Sequence, residues 1–98
     1  MNNEMKTEDN EIKDLDKIFV GNKCGYRVGS DKYASTIIEY KISGKNHIIY
    51  LNDGTLFKYN KKDNEWYEYE LIKNNKRKTN KRRLLDFSII ETYLDPDF

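Results

Sequence analysis

YASTIIEYKISGKNHIIYLNDGTLFKYNKKDNEWYEYELI, residues 33–72, decides the fold, and it carries six of the eight tyrosines and the only tryptophan. Over Ser35–Ile42, Thr36, Ile38, Tyr40 and Ile42 alternate with Ser35, Ile37, Glu39 and Lys41, the period of a half-buried antiparallel strand. Ser43-Gly44-Lys45-Asn46 turns the chain into His47–Leu51. Asn52-Asp53-Gly54 is the strongest hairpin signal in the chain, because an Asp-Gly pair tolerates the positive φ of a tight turn. Thr55–Tyr59 follows, and Asn60–Asn64 leads into Glu65–Ile72, where Tyr67, Tyr69 and Leu71 oppose Trp66, Glu68, Glu70 and Ile72. Alternation assigns Ile38, Tyr40, Phe57, Tyr59, Tyr67 and Tyr69 to the core, where aromatic rings supply most of the buried area. Linkers this short make the strands antiparallel neighbours.

Outward from this meander the signals weaken. Ile12, Leu15, Ile18 and Phe19 share one face of a short helix, with a strand over Lys17–Val20 as the alternative. Gly21–Ser30 (GNKCGYRVGS) reads as a glycine-rich loop with a brief strand at Tyr26–Val28. Residues 73–83 (KNNKRKTNKRR) hold seven basic residues and no acid, and read as a solvated loop. Leu84–Leu94 is apolar again and fits a closing strand about as well as a helical turn; the strand is preferred. Pro96 places the last residues on an edge, with Phe98 able to pack back onto the sheet. The expectation is a mainly β fold, with a small α+β arrangement as the variant. It is a bent antiparallel meander of about five strands, a partly open small barrel with a short N-terminal helix.

Composition sets the limits. With 98 residues there is room for one domain, expected over residues 11–98 behind a disordered acidic tail at 1–10. Hydrophobic residues make up 37% and charged residues 36%, so the core must be thin. A single cysteine, Cys24, excludes an intrachain disulfide framework or thiolate metal site and suits a reducing cytosol. No apolar run approaches the length of a membrane span, and the acidic start, MNNEMKTEDNEIKD, lacks the apolar region of a signal peptide. A cytoplasmic protein without membrane contact is expected. Net charge is only +1, yet the acidic start and the basic run at 73–83 lie far apart in the chain.

Two segments carry candidate binding chemistry. In the glycine loop, Tyr26, Arg27, Ser30, Asp31, Lys32 and Tyr33 combine an arginine fork for phosphate, rings for stacking and glycine amides for an anion nest. The bland reading is ordinary turn chemistry, with Ser30-Asp31 capping a turn and Tyr33 entering the core. The loop is no P-loop, because the Gly-Lys-Ser/Thr ending is missing. In the basic run, Lys76, Arg77, Lys78, Lys81, Arg82 and Arg83 suit a nucleic-acid backbone, against a plain solvated loop, neutralisation by the acidic N-terminus, or a grip on an acidic protein. His47 reads as a turn residue and Cys24 as an ordinary cysteine rather than an activated thiol. Glu68 and Glu70 read as a solvated face rather than an acid–base pair. No catalytic residue, metal ligand or cofactor is assigned, and the chain reads as non-enzymatic.

SDKYASTIIEY (residues 30–40), then Phe57, Tyr59 and Trp66 in F-x-Y-x(6)-W, then Glu91, Tyr93, Asp95, Pro96 and Phe98 in E-x-Y-x-D-P-x-F, form a pattern. It is similar to that of a family of small uncharacterised bacterial and phage proteins, roughly S-D-R-x-A-Y-T-V-V-E-V, G-x-W and Y-x-D-P-S-F. Lys32 stands where that pattern has arginine, Asn64 where it has glycine, and Asp97 where it has serine. The resemblance implies a phage or mobile-element accessory protein and names no activity. Joined to the glycine loop, it implies an anti-defence protein that sequesters a nucleotide second messenger of host immunity, a cyclic nucleotide shared between protomers of a homo-oligomer. The alternatives are a nucleic-acid-binding accessory protein using 73–83, or an inhibitor docking on a host defence protein.

Overall fold

The computed structural model describes residues 12–94 and Pro96. The expected acidic tail at 1–10 and the packing of Phe98 lie outside the described residues. Six strands follow in chain order: β1 (Lys23–Val28), β2 (Asp31–Ser43), β3 (Asn46–Leu51), β4 (Leu56–Asn60), β5 (Glu65–Ile72) and β6 (Lys76–Leu84). Each pairs antiparallel with its chain neighbour, and the sheet curls into a half-barrel that brings β1 towards β6. The mainly β, partly open meander expected from the sequence is therefore what forms. Its turns sit where the sequence marks them: Gly44 and Gly54 adopt φ of 61° and 94°, and Asn64 adopts 55°. Glycine takes this region freely, and asparagine more readily than other side chains.

Four expectations are corrected. The N-terminal helix shrinks to a 3₁₀ turn at Leu15–Lys17; Ile18 is buried beneath the sheet, whereas Leu15 and Phe19 face water. The glycine loop is largely β1, since its alternation sends Cys24 and Tyr26 inward. Residues 76–84 are a strand rather than a loop. Asn74 and Asn75, at φ 63° and 59°, reverse the chain tightly, so the basic run pairs with β5 through its backbone while its side chains stay in water. The ladder needs no apolar side chain, only a register, and Glu70 opposite Lys78 favours this one. Finally, Leu85–Leu94 is an irregular strap, not a strand.

The core phase also differs. Ile37 pairs with Leu51 and Glu39 with Tyr50, which leaves Ile38 as the extra residue of a β-bulge. Ile37 is accordingly 0% exposed and Ile38 52%. The interior face collects Cys24, Tyr26, Ile37, Ile49, Leu51, Phe57 and Trp66, with Tyr40 and Tyr59 half-buried around them. Tyr59 and Tyr40 meet the Trp66 ring at centroid distances of 5.0 and 6.1 Å, and Trp66 Nε1 donates to the Lys13 carbonyl at 3.0 Å. Tyr67 is buried as expected, but on the outer face beneath Lys81, and Tyr69 lies half-buried on that face with Lys58 over its ring.

The strap locks the curl. Gly25 and Asp86 exchange backbone hydrogen bonds of 2.9 and 2.7 Å, and Lys32 and Tyr93 exchange bonds of 2.8 and 2.7 Å. Between them the buried Ile89 side chain crosses the outer face of β1 at Gly25. A Cβ there would lie 2.5 Å from the Tyr33 carbonyl oxygen and 2.8 Å from Ile89 Cβ, so only glycine fits. Gly25→Ala should lower stability by roughly 1–3 kcal/mol through overpacking, read as a lower urea midpoint. Ile89→Ala should cost less in the Gly25→Ala background than on its own, a non-additivity read from a double-mutant cycle, and an unchanged midpoint for Gly25→Ala would contradict the crossing.

Candidate functional site

The glycine-rich segment and the basic run, far apart in sequence, meet at the open seam of the half-barrel. The β1–β2 hairpin turns at Gly29-Ser30, which leaves Arg27 near the end of β1 with its side chain exposed. On the other side, β6 departs from regular pairing: Tyr67 faces Leu84 but Glu68 faces Asn80, so Lys81–Arg83 bulge out of the ladder. Asn80 Oδ1 accepts the Arg82 amide at 3.0 Å and holds the bulge. Its three cations then diverge. Lys81 extends over the Tyr67 ring, Arg83 turns inward to Glu68 at 3.0 Å, and Arg82 joins Arg27 in the seam.

Two adjoining depressions form there. One, of about 360 Å³, is bounded by Lys13, Asp14, Arg27, Glu65, Arg82 and Phe87, among others. The other, of about 230 Å³, is bounded by Arg27, Gly29, Asn80, Arg82 and Arg83. Of the acids on the larger one, Glu65 is gripped by Lys13 at 2.8 and 2.9 Å, Asp14 meets Lys17 at 3.1 Å, and Asp86 accepts from Ser88 at 2.6 and 2.8 Å with Arg27 near enough to act on its charge. The Arg27 and Arg82 guanidinium groups make no hydrogen bond or ion pair with another described residue. Two forked cations beside a shared depression can take a phosphate or carboxylate in bidentate fashion.

The remaining expected residues disperse. Tyr26 and Tyr33 stack on each other inside the sheet, 5.8 Å between centroids, and Tyr26 Oη donates to Asp53 Oδ2 at 2.7 Å. Tyr26 is buried, and Tyr33 is half-buried with one face of its ring against Tyr26. Ser30 and Asp31 belong to the hairpin turn and the start of β2, and the Lys32 backbone is taken by Tyr93. Lys76, Arg77 and Lys78 lie further out along β6, in water. Sequence reasoning misses Lys13, and it misses the pairing of Glu68 with Arg83 by placing Glu68 on a solvated face. The Trp66 hydrogen bond to Lys13 is long-range and leaves no local signal, whereas Glu68 shares its strand parity with Trp66.

Local electrostatics follow from this packing. Burial pushes the Glu68 carboxyl above its ordinary range, and Glu70 and Asp53 add to that, although Arg83 opposes it. At Asp86, burial is outweighed by hydrogen bonds from Ser88, and with Arg27 and Lys32 nearby the carboxyl is held below its ordinary range. Burial and the nearby Lys61 lower His47, whose Nδ1 lies 2.7 Å from Tyr40 Oη. The Cys24 thiol is buried and pushed up to about 12. No described helix is long and apolar enough to cross a membrane.

Comparison with known proteins finds no matching family model, no matching curated protein and no matching solved structure.

Two outcomes follow from the geometry. Cys24 should resist iodoacetamide in the folded protein and react only as fast as the chain opens, measured by mass; rapid native labelling would contradict its sealing. For Glu68, a raised folded pKa favours the native state most when the carboxyl is protonated. The stability of the wild type relative to Glu68→Gln should therefore rise as pH falls from neutral through that pKa, and level off below the ordinary 4.5. Asp86 shifts the other way without acting on Glu68 and cancels between the two proteins, whereas Asp53 is coupled to Glu68 and its part belongs to the same difference. Denaturant titrations across pH test this, and a difference that does not vary with pH would contradict it.

Proposed function

We propose that this protein binds the phosphate backbone of nucleic acid without catalysing a reaction on it. The observation that carries this reading is the seam, where Arg27 from β1 and Arg82 from β6 meet and from which Lys78 and Lys76 continue outward along the same strand. β6 is the last strand of the sheet, so its basic side chains have water, not another strand, beside them. Such a track is longer than a single phosphate and matches a polyanion better than a compact ligand. The chemistry that hydrolysis or transfer would call on is tied up elsewhere, with His47 engaged by Tyr40 and Cys24 sealed in the core.

A second reading keeps the sequence-based expectation of nucleotide capture. The depression of about 360 Å³ is near the lower end of small-molecule sites, and Arg27 and Arg82 would address one phosphate group. A cyclic dinucleotide exceeds it and would be shared between two copies of the chain. The inward-turned Tyr26 and Tyr33 weigh against this reading, because they leave the base without its expected platform. The anti-defence setting and the phage origin belong to the resemblance and accompany either reading as part of the proposal.

Fluorescence anisotropy with a labelled oligonucleotide, from about 50 to about 200 mM salt, should show affinity falling steeply and log-linearly. Arg27→Ala with Arg82→Ala should weaken binding and flatten the slope by about one for each phosphate that is no longer neutralised. An absence of binding at the lowest salt would end the proposal, and calorimetric heat with a cyclic nucleotide in its place would favour the second reading.

A further inference from the structure

The outer half of the β5–β6 hairpin stands free of the barrel. β4 pairs with β5 only from Glu65 to Glu68, so Tyr69–Ile72 and their partners Lys76–Thr79 form a two-stranded ribbon without a third strand. Four residues beyond Glu68 extend it by about 13 Å at the usual strand rise. The ribbon and its turn carry Lys73, Lys76, Arg77 and Lys78 against the single acid Glu70. Near the tip, Leu71 is 55% exposed and Ile72 41%, on opposite faces, with Leu71 beside Arg77 and Ile72 beside Lys76. Other aliphatic side chains of the chain are exposed too, but Leu71 and Ile72 each stand directly opposite a cation across the ladder.

We infer that this ribbon seats, tip first, in the major groove of duplex DNA. The inference rests on the nucleic-acid reading above and specifies which nucleic acid is bound. The major groove of B-DNA, about 12 Å wide and 8.5 Å deep, admits a two-stranded ribbon, and about 13 Å of free ribbon exceeds that depth. Cations on both faces meet the phosphate walls on either side, and Leu71 and Ile72 match the apolar thymine methyl groups of the floor. Double-stranded RNA presents a deep, narrow major groove that side chains do not enter. Single strands are bound by stacking on open aromatic faces, whereas the one ring on the ribbon, Tyr69, lies under Lys58, and the exposed rings of Phe19 and Tyr93 belong to other segments. A second copy is a poor occupant, because ribbon against ribbon would set one group of four cations against another.

The test compares a short duplex DNA, the same sequence as a single strand, and the corresponding RNA duplex, by anisotropy at one salt concentration. Duplex DNA should bind about tenfold or more tighter than the other two. The double variant Leu71→Thr, Ile72→Thr keeps β-forming side chains and should lose severalfold in duplex affinity while single-strand binding stays unchanged; circular dichroism verifies its fold. Equal affinity for the single strand or the RNA duplex, or a variant that binds duplex DNA like the wild type, overturns the inference while leaving backbone binding intact. Binding to none of the three overturns the nucleic-acid reading itself. Self-association of the wild type that the variant abolishes would assign the ribbon to a second copy and also overturns the inference.

Discussion

The extra residue at Ile38 sets the phase of the sheet, and the placement of the functional groups follows from it. A strand of the length of β2 in unbroken alternation would keep Ile38, Tyr40 and Ile42 on one face. The bulge between Ile37 and Glu39 instead turns Ile37 inward with Tyr33 and Ser35, while Tyr40 remains inside with Ile49. One long strand thereby serves two parts of the sheet, its first half pairing with β1 and its second with β3. Bulges bend and twist a strand, and this bend carries β1 round towards β6.

Closure is then completed by backbone rather than by side chains. Leu85 donates to the Trp66 carbonyl at 3.0 Å as the chain leaves β6, and Asp86 clasps Gly25 across the gap. The seam stays open above this clasp because β1 and β6 do not pair, and it is lined by the residues at their ends. A closed barrel would have satisfied both edges and left no depression for Arg27 and Arg82. The buried Glu68 belongs to the same logic. A carboxylate inside a thin core is costly without a partner, and the bulge at Lys81–Arg83 delivers one, freeing Arg82 to point elsewhere.

Much of the architecture was legible in the sequence. Glycine and asparagine at the turns marked each hairpin from Ser43 to Asn64, and alternation identified the meander. The phase was not legible, because Ile37 and Ile38 are equally apolar and nothing local says which is the extra residue. The strand nature of 76–84 was hidden by its charge: apolar alternation signals a buried face, and this ribbon buries neither. Arg27 and Arg82 each stand out within their own segment, but their meeting depends on the curl and the bulge, which are tertiary. Tyr26 and Tyr33 resemble a stacking platform in the sequence, and the packing of β1 against β2 turns both inward instead.

The central claim is that the end of β1 and the basic strand β6 act as one phosphate-binding surface. Its most direct test is an NMR titration of labelled protein with a short oligonucleotide. Arg27, Gly29, Asn80 and Arg82 should shift together along a single isotherm, joined by Lys76 and Lys78, while the core reporters Ile49 and Phe57 stay in place. Shifts confined to one strand, separate isotherms for Arg27 and Arg82, or perturbation centred away from the seam would contradict it.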